Sequence, residues 1–125
     1  LIDGSGQNRC SMTGSTWQSA GAAGPEPERA EIDALAGAAI LEFGTSWCGF
    51  CRAAQPLVAG ALAGHARVRH LKVEDGSGRR LGRSFDVKLW PTLIFLRDGQ
   101  EVARLVRPND QATIAAALQK IDVAA

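Results

Sequence analysis

The chain has 125 residues with 14 Lys and Arg against 13 Asp and Glu, a net charge of +1. That length suits one domain with a core large enough to need no disulfide staples. Near-neutral charge with no sustained basic face argues against a nucleic-acid partner, and no run approaches the ~18 to 20 apolar residues that span a bilayer.

Residues 1–24 are crowded with Gly, Ser, Ala, Asn and Gln and read as a flexible N-terminal arm, with Trp17 as an apolar anchor to the body. The chain opens on Leu1 and its single methionine is Met12, so residues 1–11 are expected to be an artificial addition ahead of a native start at Met12, which would leave Cys10 without a role. Residues 25–125 form the expected domain.

Pro25, Glu26, Pro27 and Glu28 put proline and negative charge where a helix begins, and Ile32, Leu35 and Ala36 supply its apolar stripe before Gly37. A short strand follows at Ala39 to Phe43. The next helix is expected from Cys51 to Leu62, with Leu57, Val58, Ala61 and Leu62 on one face and a kink at Pro56. Val68, Leu71 and Val73 suggest a strand, Gly78 to Phe85 a short helix, and Leu93 to Leu96 a fully buried strand. Asp98 and Gly99 turn the chain into Val102 to Val106, and Asn109 is expected to cap a last helix carrying Ile114, Leu118 and Ile121. From residue 39 the order is βαβαββα, which implies an α/β fold with a central mixed sheet and helices on both faces.

The chemistry concentrates in Trp47, Cys48, Gly49, Phe50, Cys51, a C-x-x-C pair at a strand-to-helix junction. Two thiols so spaced can exchange electrons as a disulfide. Three cysteines do not suggest a secreted disulfide framework, and a working dithiol favours the cytoplasm, with the periplasm as the alternative. A zinc site would need about four ligands, and Cys10, Cys48, Cys51, His65 and His70 lack a second close pair. No metal is expected.

This pair resembles the thioredoxin family, together with Pro56 after the second cysteine, Trp90, Pro91 and Thr92 entering the buried strand, and the Asp98, Gly99 hairpin. The resemblance spans about residues 30–122 and implies the thioredoxin fold, with four or five strands, because Gly14 to Gly24 offers no clear first strand. It also implies a cis Pro91 against the dithiol and no cofactor beyond the Cys48–Cys51 disulfide.

Cys48 lies where the helix begins, so unpaired N–H groups and the helix dipole favour its anion and make it the nucleophile. Cys51, one turn deeper, is the resolving thiol. By the resemblance, Glu42 occupies the place of a buried carboxylate, usually aspartate, and serves as proton acceptor and donor for Cys51. His70 falls where the family often has a lysine paired with that carboxylate; its expected role is a surface one, and His65 is expected to be solvated. Trp47, Gly49, Phe50, Trp90, Pro91 and Thr92 form the expected substrate groove, which grips an extended protein segment. Arg107 and Pro108 occupy a turn where the family often has glycine to let a partner approach closely, so a side chain there is expected to hinder docking of the family's usual flavoprotein reductase. Gly49 and Phe50 carry no cation, which favours reduction of protein disulfides, fed by a thiol or flavoprotein donor, over isomerase or oxidase work. A non-catalytic client-binding module is the reading from another class, and the domain is expected to be a monomer.

Overall fold

The structure is a computed structural model and describes residues 27–122. The expectations for the arm at 1–24, Cys10, Met12 and Trp17 therefore lie outside the described residues. Four strands form one mixed sheet in the order β2-β1-β3-β4: β1 is Ala38–Gly44, β2 Arg69–Glu74, β3 Thr92–Arg97 and β4 Gln100–Val106. β1 runs parallel to β2 and antiparallel to β3, and β3 pairs antiparallel with β4. The helices are α1 (Arg29–Asp33), α2 (Gly49–Leu62), α3 (Arg80–Ser84) and α4 (Gln111–Ile121).

Strand alternation sorts the core into two layers. Ile40, Leu93 and Phe95 pack against Val58 and Ala61 of α2 and Ile114, Leu118 and Ile121 of α4. Leu41, Phe43, Ile94 and Leu96 face the other way, onto Ile32 of α1, Leu81 of α3 and Phe85 at the C-terminal end of α3. Both faces are covered, as the alternating elements imply, and every residue of β1 is buried.

Three local expectations are corrected. α1 ends at Asp33, so Ile32 is buried but Ala36 is exposed; the chain turns at Gly37 (φ 78°), whose amide donates to Asp98 Oδ1 at 2.8 Å. α2 begins at Gly49 rather than Cys51, because Cys48 itself is the N-cap, and it continues through an exposed Pro56 to Leu62. α4 is capped by Asp110 instead of Asn109, since Thr113 three residues later offers both its amide (2.7 Å) and hydroxyl (2.8 Å) to Asp110 Oδ1.

The hairpin turn is where the sequence places it. Asp98 and Gly99 both have positive φ, at 52° and 80°, the pair of values a tight two-residue turn requires. Gly99 also has no room for a side chain, because a Cβ there would collide with the Asp33 carbonyl.

Candidate active site

The end of β1 and the start of α2 bring the two cysteines together. Both are free thiols. Cys48 adopts the extended backbone of an N-cap, and its Sγ accepts the Cys51 amide at 3.3 Å. A sulfur thus occupies the place an Asp or Ser oxygen usually fills, at the helix end that favours negative charge. Cys48 is 8% exposed and Cys51 1%, so Cys48 is the more accessible of the two. Burial pushes the Cys51 thiol up to about 12, and its hydrogen bond to Cys48 adds to the rise.

Beneath the cysteines lies a polar cluster inside the layer shared by the sheet and α2. Glu42 is fully buried. Its Oε2 accepts Gln55 Nε2 at 2.7 Å, and its Oε1 lies 2.7 Å from His70 Nε2. Gln55 also donates to the Cys51 carbonyl at 2.9 Å, tying the carboxylate to the helix that carries the thiol. Lys72 is the register partner of Glu42 on β2 and is 6% exposed. Burial lowers its pKa, while the neighbouring Glu42 and Cys51 act in the opposite direction.

His70 is consequently not a surface residue. Parallel pairing sets it on the same face as Glu42, two residues from Lys72, and its ring closes over the carboxylate. His65 is corrected as well: its Nδ1 lies 2.6 Å from Asp122 Oδ2, which fastens the loop after α2 to the end of α4.

The rim is aromatic. Trp47 is 67% exposed and Phe50 58% exposed, and Trp47 meets Trp90 edge-on with ring centroids 5.6 Å apart. Trp90 is half-buried, and its indole N–H donates to Asp75 Oδ2 at 2.8 Å. The Trp90–Pro91 bond is cis, as the resemblance implies. Pro91 and Thr92 are buried, with the Thr92 hydroxyl donating to the Leu89 carbonyl at 2.6 Å. Gly49 is exposed at the first turn of α2. Arg107 reaches in from the end of β4: Nε donates to the Trp90 carbonyl at 2.8 Å and the guanidinium lies 4.0 Å over the Phe50 ring.

The structure therefore gathers Glu42, Trp47, Cys48, Phe50, Cys51, Trp90 and Arg107 around one end of β1. Gln55, Lys72 and Asp75 join them and were not singled out by the motifs. A signal for Lys72 was present, since the alternation of β2 sets it on the same face as Val68 and His70. Among the described residues, no group of three His, Cys, Asp or Glu could hold a metal ion, and no helix is long and apolar enough to cross a membrane.

Comparison with known proteins points the same way. The thioredoxin family model matches residues 29–120. The thioredoxin of Chlamydia trachomatis is 33% identical over 84 residues, covering 67% of this chain and 82% of that protein. A TPR repeat-containing thioredoxin of Arabidopsis thaliana is 39% identical over 67 residues, and a thioredoxin H-type 1 of Nicotiana tabacum 34% over 67. The chain spans 18% and 53% of those two relatives. Among solved structures, reduced thioredoxin 2 of Pseudomonas aeruginosa superimposes with a TM-score of 0.73 at 55% identity, covering 86% of this chain and 95% of that one. With its dithiol at the head of α2 and its family match over most of its length, the chain belongs to the thioredoxin family.

Proposed function

We propose that this chain is a thiol-disulfide oxidoreductase that reduces disulfides in other proteins through Cys48 and Cys51. The observation that carries the reading is the pairing of a sulfur at the helix N-cap with a second thiol buried behind it. A thiolate is the attacking species in disulfide exchange, and a backbone donor aimed at Cys48 suits a sulfur that must carry charge.

In the first step Cys48 attacks one sulfur of a client disulfide. A mixed disulfide forms and the other client sulfur leaves as a thiolate. In the second step Cys51 gives up its proton and attacks Cys48 Sγ, the mixed disulfide breaks, and the second client sulfur is released. The client gains two electrons and the chain is left with a Cys48–Cys51 disulfide, which an external thiol or flavoprotein donor reduces.

A thiol held up near 12 does not ionise unaided at neutral pH. Glu42 is the proton acceptor in this reading, acting through water, with Gln55 and His70 holding its two oxygens. Trp47, Gly49, Phe50, Trp90, Pro91 and Thr92 bind the client, and the clients are proteins because an open aromatic rim suits an extended segment. A reducing compartment such as the cytoplasm suits a dithiol that works in its free form.

Cys51→Ser is the direct test. The variant should accumulate stable mixed disulfides between Cys48 and its clients, seen as mass adducts that dithiothreitol removes. Non-covalent complexes that form equally well without Cys48 would instead mark a client-binding module.

A further inference from the structure

Arg107 brings to the rim a charge that the two-step exchange does not use. It follows β4 with a left-handed backbone, φ 51°, and three contacts hold it in place. Its amide donates to the Pro91 carbonyl at 2.9 Å, its Nε donates to the Trp90 carbonyl at 2.8 Å, and its guanidinium stacks 4.0 Å above Phe50. Phe50 stands between Cys48 and Cys51 in the chain, on the first turn of α2, so the cation is held on the turn of helix that the nucleophile caps.

A guanidinium carries five N–H donors in a planar fork, and Trp90 takes the one on Nε. The Nη edge is left for another acceptor. Among the described residues, the acids around this rim are engaged elsewhere. Asp75 accepts the Trp90 indole, and Asp110, three residues along the chain, accepts both donors of Thr113. The Trp90 carbonyl has two lone pairs, so the tether to Arg107 and a hydrogen bond from a client amide can coexist.

We infer that Arg107 is a specificity-determining residue that binds a carboxylate of the client, so that the preferred clients carry Asp or Glu beside the cysteine they present. The chemistry is the fork-to-carboxylate pairing for which a guanidinium is suited and an ammonium is not. The stack on Phe50 and the tether to Trp90 hold the fork before the client arrives, which reduces the ordering cost of binding. A client lying over Trp47 and Phe50 excludes water from the pair and strengthens it. The inference rests on Cys48 and Cys51 being the working dithiol, as proposed above.

The test is a single-turnover measurement, following electron transfer from the reduced full chain to three oxidised peptides that differ only in having Glu, Gln or Lys beside the cysteine. The expected order is Glu, then Gln, then Lys, with Glu over Gln by about fivefold at low salt, a partly exposed ion pair being worth that much. In Arg107→Gln the Glu-to-Gln ratio should fall to about one, and in Arg107→Glu the order should invert, with Lys fastest, because the charge at the rim has changed sign. Arg107→Lys should keep part of the preference, since charge survives but the fork is lost. An unchanged ratio in Arg107→Gln, or an equal slowing of all three peptides in both variants, would overturn the inference and leave Arg107 a structural residue. Failure of the unaltered chain to transfer electrons to any of the peptides would overturn the dithiol reading itself.

Discussion

Glu42 Oε1 and His70 Nε2 lie 2.7 Å apart on adjacent parallel strands, beneath the thiols that the motif identifies. A carboxylate with no exposure needs partners for its lone pairs, and His70 and Gln55 supply one for each oxygen while Lys72 adds a nearby positive charge. In the proposed mechanism this carboxylate is the proton acceptor that serves Cys51 through water. The cluster links the strand that carries the acid to the helix that carries the thiol.

Glu42→Gln keeps the shape and removes the proton acceptor. It should slow resolution of the mixed disulfide by about 10- to 100-fold while the first attack by Cys48 proceeds, general-base catalysis being worth at least that much. Quenched-flow sampling with mass detection separates the two steps. Equal rates for the variant and the unaltered chain in the second step would remove Glu42 from the mechanism.

His70→Phe takes away one charge-assisted partner of a buried acid. The expected cost is about 1.5 to 3 kcal/mol of folding stability, read from the urea midpoint at constant slope. His70→Gln, which keeps a donor, should recover part of the loss. If both variants unfold at the same urea concentration as the unaltered chain, the 2.7 Å contact contributes nothing.

Cys51 sets the alkaline behaviour of the reduced protein. Burial raises its thiol from 9.0 to about 12, so between those values the folded chain holds a proton that the unfolded chain has lost. The resulting stabilisation is fully present below 9 and disappears as pH rises through about 12. Denaturation curves across that range should fall more steeply for the reduced chain than for Cys51→Ala. In a Cys10→Ser background, alkylation at pH 8 should label Cys48 well before Cys51, and equal labelling of the two would contradict the burial argument.

Asp122 should govern one part of acid stability. Its hydrogen bond with His65, joined by Arg67 at 3.0 Å, holds its carboxyl below the ordinary 3.8. A depressed carboxyl adds stability above 3.8 that is lost as pH falls through the lower folded value. Asp122→Asn should therefore lose stability at neutral pH and show a flatter decline in acid, measured by thermal unfolding from pH 7 to pH 2.

What could be read from the sequence was what is encoded locally. The C-x-x-C pair, the Asp98, Gly99 turn and the apolar alternation of the strands each lie within a few residues, and all four strands stand within two residues of their expected ends. Asn109 and Asp110 have similar capping chemistry, and the two donors of Thr113 select Asp110 as the cap of α4. The polar cluster was harder to read. Whether His70 meets Glu42 depends on a parallel register across 28 residues of chain, and Gln55 reaches the same acid from a helix. The Arg107 contact with Phe50 depends on how the end of β4 meets the head of α2, which no short motif records.

The most direct test of the central claim is the reduction potential of the Cys48 and Cys51 pair, obtained by equilibrating the chain with defined thiol to disulfide buffers and counting thiols. A disulfide reductase requires a value near or below about −230 mV. A value between about −180 and −120 mV would contradict reductase work and assign the pair to isomerisation or oxidation.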